Sequence, residues 1–163
     1  MPLLSRAIHP ADQRVVLDWA MATTPGRLWW GLTDAEALPQ WLGTPTAGTY
    51  VRGGEIIVEH AENYSCTSRV RECVPERLLD VTWQFPDEPL SRLRIAVTPA
   101  GASTQMRLEH EGLGDAVAGY LPGWHTHLLY LEALLLDSPR PMDDLWTTYE
   151  RLVECGADDR PPR

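Results

Sequence analysis

Residues 78–111 read LLDVTWQFPDEPLSRLRIAVTPAGASTQMRLEHE, three short runs in which apolar and polar side chains alternate. Leu79, Val81, Trp83 and Phe85 share one face of the first run. Leu93, Ile95 and Val97 share a face of the second, and Met106, Leu108 and His110 a face of the third. The opposite faces carry Asp80, Thr82, Gln84, Arg92, Arg94, Arg107, Glu109 and Glu111. A period of two marks strands covered on one side and wet on the other. Only Pro86 to Pro89 and Pro99 to Ala102 separate the runs. Gaps of that size suit antiparallel neighbours, whereas parallel strands need long crossovers.

The same period reaches back to Thr49. Strands are predicted near 49–52, 55–61, 64–74, 78–85, 91–98 and 103–112, with turns at Gly53-Gly54 and Pro75-Glu76. Upstream, RVVLDWAMA (14–22) alternates through Val15, Leu17, Trp19 and Met21 and reads as an earlier strand. Thr24-Pro25 then starts a helix, since Thr caps well and Pro lacks an N–H that the first turn does not need. Leu28, Trp29 and Leu32 lie on that helix. Thr33 and Glu36 have capping-box spacing for a second short helix leading to Trp41, which Pro39 should kink. Gly43, Pro45 and Gly48 end the segment.

Downstream, Leu121, Trp124, Leu128, Leu131 and Leu135 recur at three and four residues, one stripe of a long helix. Pro122 suits only a first turn, so that helix should begin near Leu121. After Pro139-Arg140-Pro141, the residues Leu145, Trp146, Tyr149, Leu152 and Val153 mark a further amphipathic helix. The expected class is α+β: a helix-grip fold, with a curved antiparallel sheet wrapped around a long helix. Residues 1–138 form the domain, 139–155 a helical extension of it, and 156–163 a loose tail.

Composition narrows the function. The chain has 163 residues, enough for one domain with a real core, and a formal charge of -9. A negative field repels phosphate backbones and anionic lipids, so neither nucleic acid nor a membrane is an expected partner. The N-terminus has no sustained apolar core of a signal peptide, and the apolar run at 128–136 is broken by Glu132. A cytoplasmic protein is expected. Three cysteines without a CxxC pair support neither a zinc site nor a disulfide framework. GxSxG, HExxH and P-loop motifs are missing, and Gly112-Leu113-Gly114 is followed by Val117 where a dinucleotide loop needs a third small residue. No metal and no cofactor are expected.

The order strand, two short helices, six-strand meander and long helix resembles the START and Bet v 1-like (SRPBCC) superfamily. Within it, the chain is similar to the branch named after the activator of Hsp90 ATPase. Leu28-Trp29, Leu32-Thr33-Asp34, Trp41 and Gly53-Gly54 carry the likeness first. Leu79 and Trp83, then Thr104, Leu108, His110, Gly112-Leu113, Gly123-Trp124, Leu128 and Leu131 complete it over about residues 14–136. The resemblance implies an apolar cavity between helix and sheet. Its functions range over carriers, cyclases and cochaperone domains, because fold does not dictate function.

The expected cavity residues are Trp83, Phe85, Met106, Leu108 and His110 from the sheet, and Trp124, His127, Leu128 and Leu131 from the helix. Trp83 and Trp124 could stack a planar ligand; Trp29 and Trp41 read as core. His110 points inward, either to meet a ligand or as a buried histidine bonded near Trp124. His125 and His127 stand about 200° apart on a helix and cannot chelate one metal. His127 and Glu132 flank the buried stripe. Binding of a small hydrophobic molecule without catalysis ranks first, a cyclase or aromatase second, a cochaperone-like domain third. The face of the 141–155 helix needs covering, by a second copy in a homodimer or by its own subunit.

Overall fold

The computed structural model describes residues 3–158. Its eight strands are β1 (Leu3–His9), β2 (Arg14–Met21), β3 (Thr44–Gly48), β4 (Glu55–Ala61), β5 (Tyr64–Val74), β6 (Leu78–Trp83), β7 (Ser91–Ala100) and β8 (Ser103–Glu111). All pair antiparallel in one sheet of order β1-β2-β8-β7-β6-β5-β4-β3. Three helices accompany it: α1 (Pro25–Thr33), α2 (Val117–Leu135) and α3 (Leu145–Asp158). This is the α+β helix-grip arrangement that the alternation predicts. No described helix is long and apolar enough to cross a membrane.

The covered face is the one read from the period of two. Leu79, Val81, Trp83, Phe85, Leu93, Ile95, Val97, Met106, Leu108 and His110 are all buried. The other face is held by charge pairs. Asp80 is buried beneath the Arg92 guanidinium, and Arg107 bridges Asp18 and Glu109 at 3.2 and 2.8 Å. Register shifts interrupt β1, β3, β4 and β5, and those on β4 and β5 lie inside the sheet. Glu59 pairs Ser65 and Ala61 pairs Tyr64, which leaves His60 as the extra residue on β4; Arg71 is the extra residue on β5. A bulge increases local twist and re-aims the side chain it carries.

Four local expectations are corrected. The edge strand β3 occupies 44–48 rather than 49–52. Pro45 lies within it because an edge strand can leave an N–H position unpaired. A further edge strand, β1, precedes β2; its exposed, unpatterned side chains give no period-two signal. The second short helix shrinks to one 3-10 turn, Leu38–Gln40. There is no capping box at Thr33, which ends α1 and donates to the Trp29 carbonyl, while Asp34 accepts from the Glu36 N–H. Thr24 does cap α1, accepting from the Arg27 N–H at 3.2 Å.

Helix α2 starts at Val117, a turn before the expected Leu121, with Pro122 inside it. It is buried around much of its circumference. Trp124 meets Trp83 and His110 on the sheet. Leu131 and Leu135 press on α1 so closely that a Cβ on Gly31 would lie 2.8 Å from Leu131. Tyr130 donates to Thr148 of α3 at 3.1 Å. Helix α3 therefore docks on its own subunit. It runs through Gly156 to Asp158, further than the expected 139–155; of the expected tail, residues 159–163 lie outside the described range.

Candidate functional site

A cavity of about 290 Å³ opens between α2 and the bent end of the sheet. Each wall comes from a different element. β6 and the loop after it supply Trp83, Phe85 and Glu88, and β4 supplies His60 and Ala61. α2 contributes Tyr120, Gly123, Trp124 and His127. Leu42 closes one side, and Leu145 with Trp146 of α3 stands at another. The walls are mainly aromatic rings: Trp83 and Trp124 lie 5.2 Å apart, tilted by 59°, and Phe85 stacks on Tyr64 at 4.4 Å.

Hydrogen bonding fixes the protonation of two of the histidines. The Trp124 indole can only donate, and it donates to His110 Nδ1 at 3.0 Å. The proton of His110 must then sit on Nε2, which donates to Ser91 Oγ at 2.7 Å. Ser91 in turn donates to the Trp83 carbonyl at 3.2 Å. Every polar atom of His110 is satisfied, and burial pushes its pKa down to about 3. It also cannot take a proton from Ser91, so the two are no nucleophile–base pair.

His127 is held in the opposite tautomer. Its Nδ1 lies 2.6 Å from the Trp41 carbonyl, which only accepts, so Nδ1 carries the proton and Nε2 carries a lone pair. Burial lowers its pKa too, against the pull of the carbonyl bond. His60 stands edge-on to Trp83 and Phe85, and its ring centroid is 6.2 Å from that of His127. Its Nε2 is buried without a hydrogen-bond partner. Burial first, and the proximity of His127 second, push its pKa down to about 3. Both cavity imidazoles are neutral at physiological pH.

Three donors along the walls are already engaged. Trp83 Nε1 donates to Tyr120 Oη at 3.1 Å, Tyr120 donates to Glu88, and Tyr64 donates to Asp87 at 2.6 Å. Those two tyrosine–carboxylate bonds tie the loop after β6 across the mouth.

Of the nine expected residues, Trp83, Phe85, Trp124 and His127 line the cavity. Met106, Leu108, His110, Leu128 and Leu131 do not; they are packed in the core behind it, His110 with its bonds closed. Glu132 is also away from it, accepting from Trp19 Nε1 at 2.7 Å. His125 lies 3.3 Å from Arg6. Sequence reasoning missed His60, Tyr120, Glu88, Leu145 and Trp146. His60 was within reach, since it continues the inward set of Ile56 and Val58 along β4. Among the described residues no three metal-ligating side chains come together.

The sequence profile described as Activator of Hsp90 ATPase homolog 1-like protein matches residues 22–135. Among curated proteins none matches the chain. CalU16 from Micromonospora echinospora shares the fold with a TM-score of 0.73 at 19% identity, over 94% of this chain and 93% of its own. DynU16, from the dynemicin biosynthetic locus, gives 0.71 at 20%, over 78% of this chain and 49% of its own; this chain spans about half its length. CV1439 from Chromobacterium violaceum gives 0.70 at 22%, over 75% and 96%. At such identities the likeness is one of fold.

Proposed function

Because the chain belongs to the Activator of Hsp90 ATPase homolog 1-like family of the START and Bet v 1-like superfamily, we propose that it binds a small hydrophobic molecule in its helix-grip cavity without transforming it. The observation that carries this reading is the aromatic-walled cavity of about 290 Å³, at the small end of ligand pockets. No serine, threonine or cysteine of the described residues lines it. The protein's acidity and its neutral cavity histidines disfavour an anionic ligand. Its three free cysteines are in keeping with a reducing, cytoplasmic setting.

A cyclase-like reaction is the second reading. In its favour, two neutral imidazoles converge in the cavity and could move a proton. Against it, the donors of Trp83, Trp124, Tyr64, Tyr120 and His127 are bonded elsewhere, which leaves little to stabilise a developing oxyanion or enolate.

Titration with a neutral solvatochromic dye tests the binder. Nile red should bind with micromolar affinity and shift its emission to the blue. Ala61 is exposed at the mouth, so Ala61→Trp should fold normally and weaken binding about tenfold or more by filling the opening. Dye binding unaffected by that plug would place the ligand elsewhere and end this reading.

A further inference from the structure

Besides the Glu88 carboxylate and the exposed Trp146 indole, two adjacent imidazole rings leave polar capacity open in the cavity. His127 Nε2 holds a lone pair, because Nδ1 gives its proton to the Trp41 carbonyl. His60, carried by the β4 bulge, keeps a buried Nε2 without a partner. An orphaned buried polar atom costs free energy, which a bound group that completes its hydrogen bonding returns. The ring centroids lie 6.2 Å apart, a span that one oxygen within hydrogen-bond distance of both rings can bridge. Around them, Trp83, Phe85 and Trp124 offer ring faces and edges but no uncommitted donor.

From this juxtaposition we infer that the cavity selects uncharged planar aromatic molecules bearing a hydroxyl group, which donates to His127 Nε2 and accepts from the N–H of His60. This rests on the cavity being a binding site and adds what that site recognises. A hydroxyl fits because it is donor and acceptor at one atom. A carboxylate does not: it has no proton to give His127, and two neutral imidazoles bring no charge to hold it. An ether or ketone can accept from His60 but leaves His127 unmatched. The strand gives the arrangement its local cause, since His60 continues the inward set of Ile56 and Val58 on β4 and so enters the cavity beside α2.

Two probes of the same shape isolate the hydroxyl. Binding of 2-naphthol and of 2-methylnaphthalene is followed by quenching of tryptophan fluorescence, in the full chain and in two variants. His127→Asn keeps a donor at the place of Nδ1 for the Trp41 carbonyl and removes the lone pair at Nε2. His60→Phe removes both nitrogens and keeps the ring. The full chain should prefer 2-naphthol by about tenfold, the yield of one or two good hydrogen bonds. In each variant the preference, read as the ratio of the two probes' affinities within that same variant, should fall toward one. If the two probes bind the full chain equally, the hydroxyl proposal is overturned and the cavity reading stands. A preference that survives both variants overturns it as well. Binding of neither probe removes the proposal and the cavity reading together.

Discussion

His110 is a histidine whose role is decided by its neighbours' chemistry. An indole N–H on one nitrogen and a serine on the other leave it neutral, with the rings of Trp83, Tyr120 and Trp124 around it. Its pKa is lowered from 6.5 to about 3, so between those values the unfolded chain binds a proton that the folded chain refuses. Stability is therefore complete above about pH 6.5 and falls as the pH drops toward 3, by up to about 1.4 kcal/mol per pH unit. His60 adds a slope of the same sign. His110→Gln retains one acceptor for Trp124 and one donor for Ser91 but cannot titrate. Urea denaturation between pH 7 and pH 4 should show a shallower loss of stability in that variant, by close to one proton's worth; an unchanged slope would mean that His110 takes up its proton while folded. Inward direction is readable from the alternation of Met106, Leu108 and His110. Closure of its hydrogen bonds is not, because Ser91 and Trp124 lie 19 and 14 residues away in sequence.

At the scale of elements, legibility follows burial. β2, β6, β7 and β8 have one apolar face, and their limits were within reach of a period of two. The edge strands β1 and β3 face solvent more widely, so packing imposes no pattern on them. Helix α3 is instructive in another way. It lies beyond the matched residues 22–135, yet it contributes Leu145 and Trp146 to the cavity. Its inward stripe is Leu145, Thr148, Tyr149 and Leu152, half-buried against α2, where the Tyr149 ring lies over Gly119 and Gly123. Truncating that ring to Ala should weaken docking by roughly 2–3 kcal/mol, less than large aromatic truncations cost in a core because Tyr149 is only half-buried. Amide exchange in α3 should then accelerate while the amides of β7 and β8 stay protected. Equal acceleration in the sheet would show that α3 is part of the global folding unit rather than a docked wall.

At the scale of the molecule, the fold was legible because the sheet face and the α2 stripe point at each other; the cavity between them was legible only in part, since its mouth depends on a loop tie, a bulge and α3. The same whole-molecule view bears on oligomeric state. A helix with five large apolar residues invites a second copy to cover it, and two-fold dimers are the commonest oligomer. In the structure, three of those five, Leu145, Tyr149 and Leu152, are turned toward their own α2 instead. What remains outside on the two helices is Trp146 at 67% exposure, Val153 at 43%, with Ile8 of β1 beside it, and Leu136 at 52%. Stable interfaces bury about 800 Å² on each partner around a packed apolar centre, and these scattered side chains fall short of that. The formal charge of -9 adds a repulsion between copies that only salt weakens. The full chain should therefore scatter light as a monomer of 18.3 kDa at about 100 μM and low salt. Trp146→Ser should leave that mass unchanged while weakening Nile red, since Trp146 stands at the cavity mouth rather than between subunits. A dimer that Trp146→Ser dissociates would reverse the assignment and make the exposed edge of α3 an interface between copies.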